Sequence, residues 1–272
     1  QPKTVAELST EVRAGNASIK VVLVAPAGCG KTVLSKQLLT ALCNNETSQT
    51  GPPLPLRVPV DELALRLTPV TGSPLRSCVT TSDADAILLA WIENHFGSRD
   101  RAVFAAWQSL GFSSLVLLLD GLDESKSSAT VVLDWLYFWI KGPRRSVVVT
   151  TRPSAVNSAV PTWFQANHFR RMELLPFDAA DRAQLVRLRL PSTQPEQLRG
   201  LVADDVDGSP WLWSLRIFLW GKGEQLWKLE PQVIRATFLH LSAETPRFRE
   251  DILKVLVESH RGGSRIVKWR QL

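Results

Sequence analysis

The sequence has no stretch of about 18 uncharged apolar residues, so it offers no helix suited to spanning a membrane. Cysteine is scarce, with three in 272 residues. Three cannot all pair, and nothing around them suggests a disulfide framework, so a reducing, cytoplasmic location is expected. Histidine is also sparse. His95, His168, His240 and His260 show no H-x-x-x-H spacing and no cluster with cysteine, so no zinc site is expected. No Ser/His/Asp or Cys/His spacing argues for a nucleophilic triad, and no repeat of 20–50 residues appears. The first residue is Gln1 and not Met, without the charged and apolar regions of a secretory leader, so the chain is expected to be a piece of a longer protein.

What is present is ordinary in bulk. Apolar residues make up 44% and charged residues 21%, which excludes disordered and collagen-like classes. The length allows one large domain or two small ones. The net charge is +6, and residues 261–272 hold Arg261, Arg265, Lys268 and Arg270 with no acid. Such a tail attracts anions in general but carries no base-reading pattern. It reads as a solvated terminus, and no specific nucleic-acid partner is expected.

Strands alternate with helices over the first two thirds. Thr4 and Glu7 have capping-box spacing before Val5, Leu8 and Val12, which predicts a helix ending near Gly15-Asn16. Residues 19–24 form a β-rich run, and residues 31–43 a helix. Residues 56–60 predict a strand that Pro59 confines to an edge. A second box-like start at Ser82–Asp85 leads a helix through Ile87, Leu88, Trp91 and Ile92, and another helix fits 101–110. Further strands are expected at 115–119, 146–150 and 169–175, with a helix at 131–140 that sets Trp135 and Trp139 on one face. This alternation predicts an α/β fold with a mainly parallel sheet. Beyond Leu175 the pattern turns helical, at 178–190, 194–206 and 210–220, suggesting a small helical subdomain from Pro176.

Site chemistry is concentrated at strand ends. After the first strand the chain reads Ala25-Pro26-Ala27-Gly28-Cys29-Gly30-Lys31-Thr32, then Val33. This is the phosphate-loop pattern G-x-x-x-x-G-K-[ST] with Ala25 at the first glycine. Successive amides form an anion nest, the next helix presents its positive end, and Lys31 adds a point charge. The Thr32 hydroxyl is a hard oxygen ligand for Mg²⁺. Leu115–Leu119 then deliver Asp120 at a strand end, followed by Gly121-Leu122-Asp123-Glu124. In this Walker B arrangement Asp120 serves Mg²⁺ through water, and Glu124 with Asp123 orients or deprotonates an attacking water. The fourth strand ends in Thr150-Thr151-Arg152-Pro153, where Arg152 is placed to reach a γ-phosphate. Cys29 reads as a small loop filler, the acids Asp204, Asp205 and Asp207 as a solvated helix end, and Trp211, Trp213, Trp220 and Trp227 mainly as core.

Together these elements resemble the NACHT group of STAND nucleotide-binding domains. The matching residues are Ala25, Gly28, Gly30, Lys31 and Thr32 in the loop, Leu115–Glu124 for hhhhDGLDE, and Thr150–Pro153 for T-[ST]-R-P. Leu174–Asp178 and Gly208–Leu212 are similar to the opening and the G-x-P turn of the group's helical subdomain, which implies that Pro210 packs near adenine. The resemblance implies a P-loop sheet of order 5-1-4-3-2 over residues 1–175, a helical subdomain at 176–225, and a C-terminal segment at 226–272 that begins a truncated winged-helix region. The winged-helix histidine has no counterpart. It also implies an ATP/ADP- and Mg²⁺-dependent switch that hydrolyses slowly and self-associates. A motor of the AAA+ kind, a P-loop kinase and a nucleotide-independent module are the alternatives.

Overall fold

The structure is a computed structural model that describes residues 4–13, 18–44, 53–67, 80–110, 115–153, 160–175, 177–190 and 209–223, with short pieces between 232 and 240. The expected helix at 194–206, the acidic cluster, Gly208, Trp227, His260 and the basic tail lie outside these residues. So does most of 226–272.

The elements follow the chain as α1 (Val5–Arg13), β1 (Lys20–Val24), α2 (Lys31–Cys43), β2 (Leu54–Pro59), α3 (Val60–Leu67), α4 (Thr81–Phe96), α5 (Ser98–Leu110) and β3 (Leu115–Asp120). A 3-10 turn (Leu122–Ser128) comes next, then α6 (Ala129–Trp139), β4 (Arg145–Thr151), α7 (Val160–Ala166), β5 (Arg170–Glu173), α8 (Ala179–Arg189) and α9 (Pro210–Gly221). The chain divides into two compact units, one ending at Leu175 and one beginning at Pro176.

In the first unit all five strands are parallel, in the order β2-β3-β4-β1-β5. This is the expected 5-1-4-3-2 order read from the other edge. Side chains alternate across the sheet. Val21, Val116, Leu118 and Val148 face one way and pack with Leu8 and Val12 of α1 and Leu38 and Leu42 of α2. Val22, Leu117, Leu119, Val147 and Val149 face the other way, against Leu63, Leu88, Trp91, Trp135, Trp139 and Phe164. The rings of Trp135 and Trp139 stack at 6.2 Å, as their four-residue spacing on one helix face predicts.

Three expectations need correction. Val60 does not extend β2 but opens α3, whose buried Val60, Leu63, Ala64 and Leu67 recur at helical spacing. Second, the capping box of α4 is Thr80 with Asp83, two residues earlier than expected. Asp85 is thereby free to pair with Arg145 at 2.7 Å, and Arg145 also donates to the Trp139 carbonyl at 2.8 Å. Third, α7 packs Trp163 and Phe164 onto the sheet where no helix was expected. The helix α3 as a whole and the 3-10 turn were likewise not expected, and the remaining differences are shifts of up to three residues at element ends.

In the second unit α8 starts with a capping box, Asp178 with Asp181. It packs Val186 against Ile217 of α9. The buried Trp213 lies beneath the guanidinium groups of Arg182 and Arg216, 5.4 and 5.3 Å from its ring centre.

The core description predicts a sharp contrast between two leucines. Leu117 is 1% exposed and Leu65 78% exposed. Leu117→Ala is expected to cost about 2–5 kcal/mol in urea unfolding, and Leu65→Ala less than about 0.5 kcal/mol.

Candidate functional site

The phosphate loop begins where β1 leaves the sheet. The Ala25 amide donates to the Thr151 carbonyl at 3.0 Å, and the Leu174 amide to the Val24 carbonyl at 3.0 Å. These bonds anchor the loop between the ends of β4 and β5. Ala25 is fully buried, so its methyl group points into protein and away from the open loop. Pro26, Ala27 and Gly28 are exposed, while Cys29 is buried. Gly28 and Gly30 sit at φ 74° and 85°, a left-handed backbone that favours glycine.

Gly30 is also the cap of α2, and it provides no side-chain cap. No acid occupies the first turn. α4 and α8 satisfy their first amides with a capping box, and Thr4 and Glu7 do the same for α1, while α6 and α9 start without a side-chain cap bond, as α2 does. At α2 the leading amides and the helix dipole face outward beside the exposed Thr32 and Val33. Lys31 folds back over the loop, its Nζ donating to the Ala25 and Pro26 carbonyls at 3.0 Å each. Burial draws its ammonium below the ordinary value, against the opposing charge of Asp123.

Asp120 ends β3 on the same face as Val116 and Leu118, toward α2. Its Oδ1 accepts from the Thr150 hydroxyl at 2.7 Å and its Oδ2 from Arg57 at 2.5 Å. The Thr32 hydroxyl is near enough to the same carboxylate to favour its ionised form. Burial alone pushes this carboxyl up, but the bonds from Arg57 and Thr150, the nearby Thr32 hydroxyl and the Arg57 charge outweigh it and hold it below the usual range. The loop's threonine and the acid of β3 are thus brought together. Arg57 was missed in the sequence. Its signal was a lone charge inside Leu54-Pro55-Leu56-Arg57-Val58-Pro59, two residues before the strand's end.

Past Asp120 the chain turns at Gly121, with φ 83°. The Gly121 amide donates to the Thr150 hydroxyl at 2.9 Å. A Cβ on Gly121 would lie 2.9 Å from the Glu124 Cδ, so the Glu124 side chain lies close to this backbone. Burial raises the Glu124 carboxyl above its ordinary value, and the charges of Asp123, Asp61 and Asp120 add to this against Arg152. Asp61, in the first turn of α3, was the second residue missed in the sequence. Asp123 pairs with Arg152 at 2.7 Å, and its other oxygen, Oδ1, is buried without a hydrogen-bond partner. Arg152 is 46% exposed and therefore free to turn toward solvent.

Anion and cation chemistry both fit these residues. The uncapped amides of α2 and Lys31 suit phosphate oxygens. The Thr32 hydroxyl and Asp120 carboxylate are hard oxygen donors of the kind Mg²⁺ takes, and they lie near each other. Pro210 belongs to the second unit, where it occupies the first turn of α9 after Ser209. Among the described residues, no helix is long and apolar enough to cross a membrane.

Comparison with solved structures supports the same fold. The chain is similar to the Aeropyrum pernix ORC1 protein, solved in complex with DNA, at 14% identity and TM-score 0.52, covering 85% of this chain and 62% of that one. It also aligns with Drosophila ORC bound to DNA at 15% identity and TM-score 0.47, covering 95% of this chain and 66% of that one. Domain III of the Thermotoga maritima replication initiation protein DnaA aligns at 14% identity and TM-score 0.47, covering 85% of this chain and 88% of that one. At such identity the ORC1 likeness shows a shared fold alone. The chain spans less than two thirds of the ORC1 chain's length. A comparison with curated proteins found no match. The NACHT domain family, in contrast, matches residues 20–192, from the first residue of β1 to just past α8. That span includes the phosphate loop, the acid-ended β3 and the arginine after β4, and it makes this chain a member of the NACHT family of nucleotide-binding NTPase domains.

Proposed function

We propose that this domain is a switch: it binds ATP or ADP, uses Mg²⁺, hydrolyses slowly, and changes conformation and self-association with nucleotide state. The observation that carries the reading is the meeting of the uncapped start of α2, Lys31, Thr32 and Asp120 at the carboxyl ends of β1 and β3. Open α/β sheets bind ligands at the carboxyl ends of their strands.

In this reading the amides of residues 27–33 and the Lys31 ammonium hold the β- and γ-phosphates. Thr32 and Asp120 hold Mg²⁺, directly and through water. When bound, the ion neutralises phosphate charge and fixes the phosphate geometry. Glu124 takes a proton from the attacking water once its own carboxyl is ionised. Arg152 exchanges its pairing with Asp123 for the γ-phosphate and so registers whether that group is present. Pro210 packs near adenine, an assignment that rests on the resemblance of Gly208–Leu212 to the family's turn. Among the described residues Cys29 and Cys43 form no disulfide, in accord with a cytoplasmic, reducing location.

Two expectations test this. Lys31→Ala is expected to weaken ADP and ATP binding at least tenfold in calorimetric titration, and unchanged affinity contradicts the reading. The second concerns pH. Glu124 works as a base only when deprotonated, and its raised pKa places the acid limb of single-turnover hydrolysis above the ordinary 4.5. Asp61→Asn removes one of the negative charges that hold the proton on. The limb is therefore expected to move to lower pH in that variant, and a limb that stays in place removes Glu124 from the role. Steady turnover of about one per second or faster would mark a motor in place of a switch.

A further inference from the structure

Arg57 makes contacts that neither the phosphate loop nor the hydrolytic acids account for. It lies on the edge strand β2, opposite Leu118 in the ladder with β3, with its side chain 22% exposed. Its guanidinium donates to Asp120 Oδ2, and its Nε donates to the Ser35 hydroxyl at 3.1 Å. Ser35 in turn donates to the Thr32 carbonyl at 3.0 Å. One permanent cation is thus bonded to the acid assigned to the divalent ion, and is linked through Ser35, by two hydrogen bonds, to the residue that supplies the other oxygen.

We propose that Arg57 is a resident counter-ion that competes with the divalent cation for Asp120, so that the site retains a nucleoside diphosphate without metal and admits the metal at reduced affinity. This inference rests on the nucleotide-binding reading above. The physical argument has three parts. A guanidinium does not deprotonate near neutral pH, so its charge leaves the carboxylate only by movement of the side chain. Both Asp120 oxygens already accept hydrogen bonds, from Thr150 and Arg57. Aligning such a charge with a mostly buried acid balances the negative field that would otherwise draw in a divalent ion. A purely architectural clamp is a poorer account. The ladder between β2 and β3 already runs unbroken from Leu54 opposite Leu115 to Pro59 opposite Asp120, and the second Arg57 bond goes to α2.

The test uses the full chain and Mn²⁺ as the probe, with binding followed by electron paramagnetic resonance in the absence of nucleotide and at saturating ADP. Arg57→Gln keeps a donor for Asp120 and removes the charge, and Arg57→Met removes both while keeping the side-chain volume. The variant whose tryptophan fluorescence and thermal unfolding show a native fold is carried forward. Its Mn²⁺ affinity is expected to rise about tenfold in the ADP complex, and the gain is expected to vanish when Asp120→Asn is added. Unchanged or weaker Mn²⁺ binding in the folded variant overturns the inference, as does a gain that survives Asp120→Asn. ADP titration of the wild-type chain in EDTA separates the two levels. Binding there, together with an unaltered Mn²⁺ affinity in the variant, defeats only the counter-ion role. Absence of ADP binding with and without metal defeats the nucleotide reading and this inference with it.

Discussion

The Asp120 carboxylate is the point through which the site is assembled. It ends the fully buried strand β3, where an ionised acid is costly unless donors surround it. Those donors come from different elements, Arg57 from β2 and Thr150 from β4, with the Thr32 hydroxyl of α2 close by. Each reaches Asp120 because the strands are parallel and in register. Leu119 lies opposite Val149, so Asp120 stands beside Thr150, and Pro59 opposite Asp120 sets Arg57 two residues back on the same face.

The loop meets the other half of this requirement. β1 pairs with β4 up to Val24 opposite Thr151, and the Ala25 amide continues the pattern by donating to the Thr151 carbonyl. The backbone then leaves the sheet through two left-handed glycines and enters α2 without a side-chain cap. Side chains cap α1, α4 and α8, whereas α2, α6 and α9 start without a side-chain cap bond; what sets α2 apart is that a left-handed glycine precedes it and Lys31 and Thr32 open it. At Gly121 a left-handed turn leaves room for Glu124 against the backbone.

The strand-end motifs were legible because they are local, and the sheet order came only with the family resemblance that those motifs carry. A short apolar run closed by Asp120, or a glycine loop between a strand and a helix, is visible within ten residues. The buried Ala25 is also intelligible, since its methyl group points into the sheet junction where a glycine hydrogen would otherwise lie. What escaped is non-local or overlaps another signal. Arg57 and Asp61 reach the site only through pairing and packing between elements far apart in sequence, and no motif names them. The start of α3 was hidden because Val60 continues an apolar run that also suits a strand, although Leu63, Ala64 and Leu67 complete a helical spacing. The box of α4 was read two residues late because Ser82–Asp85 has the same spacing as Thr80–Asp83, and only the ion pair with Arg145 assigns Asp85 elsewhere.

The account stands on the amides at the start of α2 receiving phosphate. Hydrogen–deuterium exchange across residues 25–33, with and without ADP and ATP–Mg²⁺, tests this most directly. The account predicts marked slowing of exchange at these amides on adding either nucleotide, while α4 and α5 on the opposite face of the sheet stay unchanged. Exchange at residues 25–33 that is indifferent to saturating nucleotide would contradict it.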